Sequence, residues 1–322
     1  MIFSYKFNNL RNLLLVISGL ILITGCQSLP PEERPESASP ATLSATSVAA
    51  RRGLENRSVR LPHTNPDDLW GRIQHGMQWQ IPENPRVADA RDYYLGQTAA
   101  LQRVLAERGQ LYLHYIVEEV ERRGMPLEIA LLPLVESQLD PFAVSSQQAA
   151  GLWQIIPSTG ETLGVSTDWW FDGRRDLRDS TRAALDYLEY LHATLGGDWL
   201  NALAAYNGGV GRVSRAVASN EARGRPADFW SLPLPGETRN YVPRLLALSS
   251  LIAEPERWGL ELPPLQNRPA FVAVATGGQL ELARAAQLAG VPKASLHALN
   301  PGHLRWATAP QAAELLLPPD RG

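Results

Sequence analysis

Apolar positions recur at helical spacing through most of the chain. Leu113, Ile116, Val117 and Val120 stand at i, i+3, i+4 and i+7, the stripe that a helix buries on one face. Gly124 and Pro126 close that helix. Only helices are expected from Val87 to Arg123. Ala130, Leu131, Leu134 and Val135 form a second apolar face that leads into Glu136. Asp140-Pro141 should stop it, because the residue before proline is pushed out of the α region. An Asp at 67–68 can cap a first short helix, Asn84-Pro85 breaks the chain, and Pro157-Ser158-Thr159 can start another helix. Asp179 is expected to cap a long helix through Leu185, Leu188, Leu191 and Leu195, ended by Gly196-Gly197. Asp198 opens the next, which runs into Ala205–Gly211. Glu237–Leu248 reads as a further helix.

The pattern changes after a proline-rich joint at 259–268. Phe271–Ala275 reads as a strand, Gln279–Ala289 as a helix ended by Gly290, and Leu296 and Leu299 as part of a second helix before Asn300. Leu315–Leu317 reads as a closing strand. The expected fold class is therefore mainly α: a helical domain at 63–258 and a small C-terminal β-α-α-β unit at 269–319.

The N-terminal residues follow another logic. Lys6 and Arg11 precede an apolar run, Leu13–Ile23, too short to span a membrane and right for an export signal. The run ends Ile-Thr-Gly-Cys, which resembles a bacterial lipobox with cleavage before Cys26 and lipid on its sulfur. Residues 1–25 would then be a lipoprotein signal peptide. Gln27 follows where an Asp tends to mark inner-membrane retention in Gram-negative lipoproteins, so the periplasmic face of the outer membrane is expected. Residues 26–62 are rich in Pro, Ser, Ala and charge and read as a flexible tether.

Composition excludes several classes of chemistry. The formal net charge is −3, and it becomes −5 once residues 1–25 with their two cations are removed, so no basic surface points to nucleic acid. Cys26 is the one cysteine, so no internal disulfide can form. The six histidines are scattered without metal-ligand spacing, and there is no glycine-rich phosphate loop. No metal and no cofactor is expected.

Glu136 is the candidate for acid-base work. A carboxyl at the end of a greasy helix is only partly solvated, which raises its pKa toward the range of a general acid near neutrality. The plainer reading is a surface glutamate at a helix C-terminus. Gly151 allows close backbone approach and Gln154 offers donor and acceptor. Trp153 fits the core better than a sugar-stacking role. Trp169 and Trp170 could line a carbohydrate groove or anchor their loop. Tyr206 and Asn207, at a glycine-opened helix end, form a polar cluster or a plain C-cap.

Five segments in order carry a resemblance: A-L-L-P-L-V-E-S, G-L-W-Q-I-I-P-S-T, D-W-W-F-D-G-R-R-D, A-L-A-A-Y-N-G-G and E-T-R-N-Y-V-P. Over about Asp67–Glu254 the chain resembles the membrane-bound lytic murein transglycosylases of D-type, and the last unit resembles a degenerate glycan-binding LysM module. The resemblance implies a lysozyme-like helical domain that cleaves the β-1,4 bond between N-acetylmuramic acid and N-acetylglucosamine in peptidoglycan. It implies Glu136 as the single catalytic acid, then base, closing a 1,6-anhydro ring without water. Ser137 would help to position saccharide, Gln154, Tyr206 and Asn207 would bind it, and Tyr241 would hydrogen-bond Glu136. Gly208 stands where Ser or Ala is frequent, and Leu139 where an aromatic is frequent.

Two other readings remain open at this stage. A hydrolytic muramidase would use Asp140, Asp168, Asp172 or Asp176 as a second carboxylate. A non-catalytic lipoprotein would only bind peptidoglycan, through its C-terminal unit. The expected partners are glycan strands and a membrane held through the lipid anchor, with a monomer favoured.

Overall fold

A computed structural model describes residues 67–310 and 314–321. Cys26, the signal segment and the whole tether lie outside the described residues. No described helix is long and apolar enough to cross a membrane.

The chain is mainly helical, as the periodicity predicts. The order is α1 (Leu69–Gly76), α2 (Pro85–Leu95), α3 (Thr98–Val104), a π-helical turn (Leu105–Gly109), α4 (Gln110–Arg122), a 3-10 turn (Leu127–Leu131), α5 (Leu132–Ser137), α6 (Pro157–Thr162), α7 (Leu177–Thr194), α8 (Trp199–Gly208), α9 (Val210–Glu221) and α10 (Gly236–Ala253). Local chemistry sets several starts. Asp68 accepts hydrogen bonds from the backbone N–H groups of Trp70 and Gly71, and Asn84 accepts from Arg86 with Pro85 in the first turn. Asp198 caps α8 as expected. The cap of α7 is Asp176, not Asp179: its carboxylate accepts from the N–H groups of Arg178 and Asp179, so the helix begins a turn earlier than the apolar spacing implies.

The α4 stripe of Leu113, Ile116, Val117 and Val120 is wholly buried. It packs with the apolar faces of α7, α8 and α10 into one core. The helix that leads to Glu136 differs from expectation. Its first turn is 3-10, its α-helical part spans six residues, and it ends at Gln138 in the left-handed region, before Asp140-Pro141. Gln138 and Leu139 both have positive φ, 54° and 55°. This reversal folds the Leu139 side chain into the core with no exposure. Backbone held in that sparsely populated region costs about 1–3 kcal/mol per residue and tends to sit beside functional groups.

The C-terminal unit is the expected β-α-α-β: β1 (Val272–Ala275), α11 (Leu282–Ala289), α12 (Lys293–Leu299) and β2 (Glu314–Leu317). The α11 helix starts three residues after Gln279, and Gly290 ends it at φ 62°. The strands pair antiparallel with Val272 opposite Leu317. Leu282, Ala285, Ala286, Leu296, Leu315 and Leu317 make a small core of their own. The proline-rich stretch before it runs along α1, where the Leu69 N–H donates to Leu265 C=O and the Trp70 indole donates to Pro263 C=O.

Candidate active site

Segments from several helices and one loop converge on a cleft of ≈ 560 Å³. α5 brings Glu136, the loop between α5 and α6 brings Gln154, the end of α8 brings Tyr206 and Asn207, and the first turns of α10 bring Glu237 and Thr238. α7 supplies Tyr187 and Ala184 to the wall. A carboxyl, an amide pair and phenols thus gather around an open space, the mix by which a concave site holds a polar ligand.

The loop after α5 is shaped by a close contact. Gly151 has φ 80°, and a Cβ there would lie 2.0 Å from the carbonyl oxygen of Arg174. Only glycine permits that approach. Two isolated bridges, Val144 with Ala150 and Ala150 with Ile155, tighten the turn. Gln154 sits at φ 49°, and its Nε2 donates to the carbonyls of Ala143 and Gly151. The Trp153 ring, by contrast, lies in the core with its indole N–H on Thr181 Oγ1.

Glu136 projects into the cleft beneath Tyr241. The buried Tyr241 phenol donates to Glu136 Oε1. The Glu136 carboxyl is raised from its ordinary 4.5 to about 7: burial lifts it most, the Tyr241 hydrogen bond pulls it down, and the nearby Glu237 charge adds to the upward push. Burial likewise lifts Tyr241 and Tyr206 well above the ordinary phenol range, with the Glu136 charge as the next cause. Both phenols therefore stay protonated donors. Tyr206 uses its hydroxyl on the Trp153 carbonyl at 2.7 Å, which ties α8 to the Gln154 loop. Asn207 Oδ1 accepts from Thr238 Oγ1 at 2.9 Å.

The site residues expected from sequence occupy two tiers. Glu136, Gln154, Tyr206 and Asn207 line the cleft. Tyr241 lies behind Glu136, and Ser137 points inward, with Oγ on the Pro133 and Leu152 carbonyls and the Asp140 N–H donating to it. Sequence reasoning did not single out Glu237, Thr238, Tyr187 or Arg212, which also line the cleft. Glu237 and Thr238 stand four and three residues before Tyr241, on the same face of α10, so helical spacing from that tyrosine would have found them.

The four aspartates weighed as a second carboxylate have other work. Asp140 accepts from the Phe142 N–H and pairs with Arg108 at 3.4 Å. Asp168 caps the turn through Trp170 and Phe171, and Asp176 caps α7. Asp172 is buried and holds Arg174 Nη2 at 2.8 Å. None of them lines the cleft, whereas Glu237 does. Trp169 and Trp170 do not line it either: Trp170 meets Trp306 edge-on at 5.5 Å, and the Arg305 guanidinium lies 3.6 Å over Trp169. Among the described residues no cluster of His, Cys, Asp and Glu could hold a metal ion.

Comparison with known proteins gives this geometry a context. Residues 115–229 match the transglycosylase SLT domain, and residues 270–322 match the LysM-like domain of lytic transglycosylase MltD. The chain is 38% identical over 290 residues to membrane-bound lytic murein transglycosylase D of Escherichia coli (strain K12), a match that covers 89% of this chain and 63% of that one. It is 30% identical over 139 residues to membrane-bound lytic murein transglycosylase F of Alcanivorax borkumensis, covering 41% of this chain and 28% of the other. Of the solved structures, the 70-kDa soluble lytic transglycosylase of Escherichia coli overlays 55% of this chain and 32% of its own at 22% identity, with a TM-score of 0.40. The chain thus spans less than two thirds of the length of each of these relatives.

Proposed function

We propose that the chain, whose residues 115–229 match the transglycosylase SLT domain and 270–322 the LysM-like domain of lytic transglycosylase MltD, is a peptidoglycan lytic transglycosylase whose one acid-base group is Glu136. The observation that carries this reading is the pair of Glu136 and Tyr241 at the wall of the cleft. A carboxyl poised at about 7 is present in both protonation states near neutrality. Protonated, Glu136 donates to the glycosidic oxygen between N-acetylmuramic acid and N-acetylglucosamine as the C–O bond breaks. The acetamido oxygen of the substrate stabilises the cationic carbon. Glu136, now ionised and held by the Tyr241 phenol, takes the proton of the C6 hydroxyl. That oxygen bonds to C1 and closes the 1,6-anhydro ring, which restores the acid. No water is consumed.

A second reading keeps one specific observation. Glu237 lines the same cleft and is exposed, so a hydrolytic muramidase with Glu237 as second carboxylate fits the usual two-acid scheme. Mass spectrometry of products released from purified sacculi separates the two, because anhydro ends lack one water. Anhydro ends that vanish in Glu136→Gln and persist in Glu237→Gln support the proposal. Reducing ends from the wild-type chain, lost in Glu237→Gln, support hydrolysis.

The proposal extends to location. The relative from Escherichia coli is named membrane-bound. Lipid on Cys26 would hold this chain to the outer membrane, with the C-terminal unit adding glycan affinity beside the catalytic domain.

A further inference from the structure

Gly208 and Thr238 are fitted to one another. Gly208 closes α8 and does not have positive φ, so its conformation does not ask for glycine. Space does. A Cβ at position 208 would come 2.8 Å from Thr238 Oγ1 and 3.1 Å from its Cγ2. Thr238 is 2% exposed, so it cannot swing out into solvent to make room. Its hydroxyl donates to Asn207 Oδ1 at 2.9 Å. The Asn207 Nδ2 group has no hydrogen-bond partner among the described residues, and Asn207 lines the cleft.

A side-chain amide is almost symmetric in shape, and its hydrogen bonds decide which end faces which way. A hydroxyl can donate to an amide oxygen or accept from an amide nitrogen; here Thr238 donates to Oδ1, and that arrangement leaves the donor end for a ligand. We infer that Thr238 is a positioning residue: it fixes the Asn207 amide as a donor toward the cleft, and so sets that point of the cleft to accept a carbonyl oxygen, such as the acetamido oxygen of a glycan. This rests on the reading of the cleft as a glycan site and adds what makes it choose the acetylated sugar. Glycine at position 208, where the resemblance leads one to expect Ser or Ala, gives Thr238 the place it occupies here, since a Cβ would press on its hydroxyl.

The test compares the full chain with Thr238→Val and Thr238→Ser. Valine keeps the shape and loses the hydroxyl, and serine keeps the hydroxyl. Circular dichroism and thermal melts establish that each variant is folded. The first readout is turnover of purified sacculi. Loss of one oriented hydrogen bond predicts a KM about five- to tenfold higher in Thr238→Val, with a smaller change in kcat, and recovery of most of that loss in Thr238→Ser. The second readout is calorimetric binding of the N-acetylglucosamine hexamer against its fully deacetylated counterpart. The wild-type chain and Thr238→Ser should prefer the acetylated hexamer, and Thr238→Val should lose most of that preference. A folded Thr238→Val with unchanged KM and unchanged preference overturns the inference. So does a Ser variant as poor as Val, which would mean that packing and not the hydroxyl matters. Absence of any muropeptide release by the wild-type chain would instead overturn the proposed function, and the hexamer comparison would still decide the role of Thr238.

Discussion

Tyr241 lies 105 residues beyond Glu136 in sequence and donates its phenolic hydroxyl to Glu136 Oε1. The two groups oppose each other energetically. Burial raises the carboxyl, and the phenol lowers it by stabilising the anion. The balance lands near 7, where one group can serve as acid and then as base.

Tyr241→Phe removes the lowering influence and keeps the ring that fills the space. The Glu136 pKa should rise further. In kcat/KM the basic limb marks loss of the protonated acid from the free enzyme, so that limb should move to higher pH. Turnover at pH 7 should also fall, because the ionised carboxyl loses its donor. A pH profile of muropeptide release from pH 5 to 9 checks both. A basic limb that stays in place or moves down would mean that Tyr241 does not tune Glu136.

The same shift has a stability consequence with a definite sign. The folded carboxyl titrates near 7 and the unfolded one near 4.5. Stability from its protonated form is fully present below about pH 4.5 and is lost as pH rises through 7. Glu136→Gln, which cannot ionise, should therefore melt higher than the wild-type chain at pH 8 and near it at pH 4. The gap corresponds to about 3 kcal/mol at most, and solvent entering the cleft reduces it, so a gain of about 1–2 kcal/mol at pH 8 is expected. On the proposed mechanism, in which one group serves two proton transfers, the same variant should lose turnover by about 10⁴-fold or more. Paired melts at the two pH values and the sacculus assay measure both effects.

Asp140 and Asp172 are equivalent in sequence as candidates for a second carboxylate, and the structure separates them. Asp140 is part-exposed, so Asp140→Asn should change melting and turnover little. Asp172 is buried against Arg174, whose Nε and Nη2 it accepts at 2.9 and 2.8 Å. Asp172→Asn leaves that guanidinium without its counter-charge and should cost about 3 kcal/mol or more. It should lose activity only in proportion to unfolding. Urea melts beside activity per folded molecule test this. A well-folded Asp172→Asn chain without turnover would return Asp172 to the catalytic candidates.

The legible parts of the sequence were those governed by local rules. The α4 stripe, the Asn84-Pro85 break and the Gly290 stop each depend on a few neighbouring residues; the stripe and the stop are found, and the break is where Asn84 caps the start of α2. Gly151 points in sequence to a close approach, and the fold supplies its partner, the Arg174 carbonyl. The α5 end departs from the sequence pattern because left-handed Gln138 and Leu139 are held there by burial of Leu139, which outweighs the local preference of the chain. The long-range half of the site was not legible from spacing. Thr238 meets Asn207 across 31 residues and Tyr206 meets Trp153 across 53, and no periodicity records such pairs.

The C-terminal unit gives the last prediction. It has a small core of its own, yet its loop 302–304 is zipped to the 168–176 loop. The Asp172 N–H donates to Gly302 C=O and the Leu304 N–H to Trp170 C=O, both at 2.8 Å. Phe171 packs so closely on Gly302 that a Cβ there would lie 2.6 Å from its ring. Tyr112 on α4 donates to Ala298 C=O, Tyr115 meets Phe271 at 5.6 Å, and Arg178 pairs with Glu314. Truncation after Arg268 would bare these aromatics and free the loop that carries Arg174, the residue against which Gly151 is fitted. The truncated chain should therefore melt well below the full chain and lose turnover on short soluble glycan strands as well as on sacculi. Gly302→Val, which wedges the same contact without removing the unit, should reproduce part of the loss. Proteolysis after Arg175 or Arg178 should speed up in both variants. A truncated chain that melts like the full one and cleaves soluble strands at the same rate would show that the contact is incidental, and that the unit contributes only affinity for the glycan.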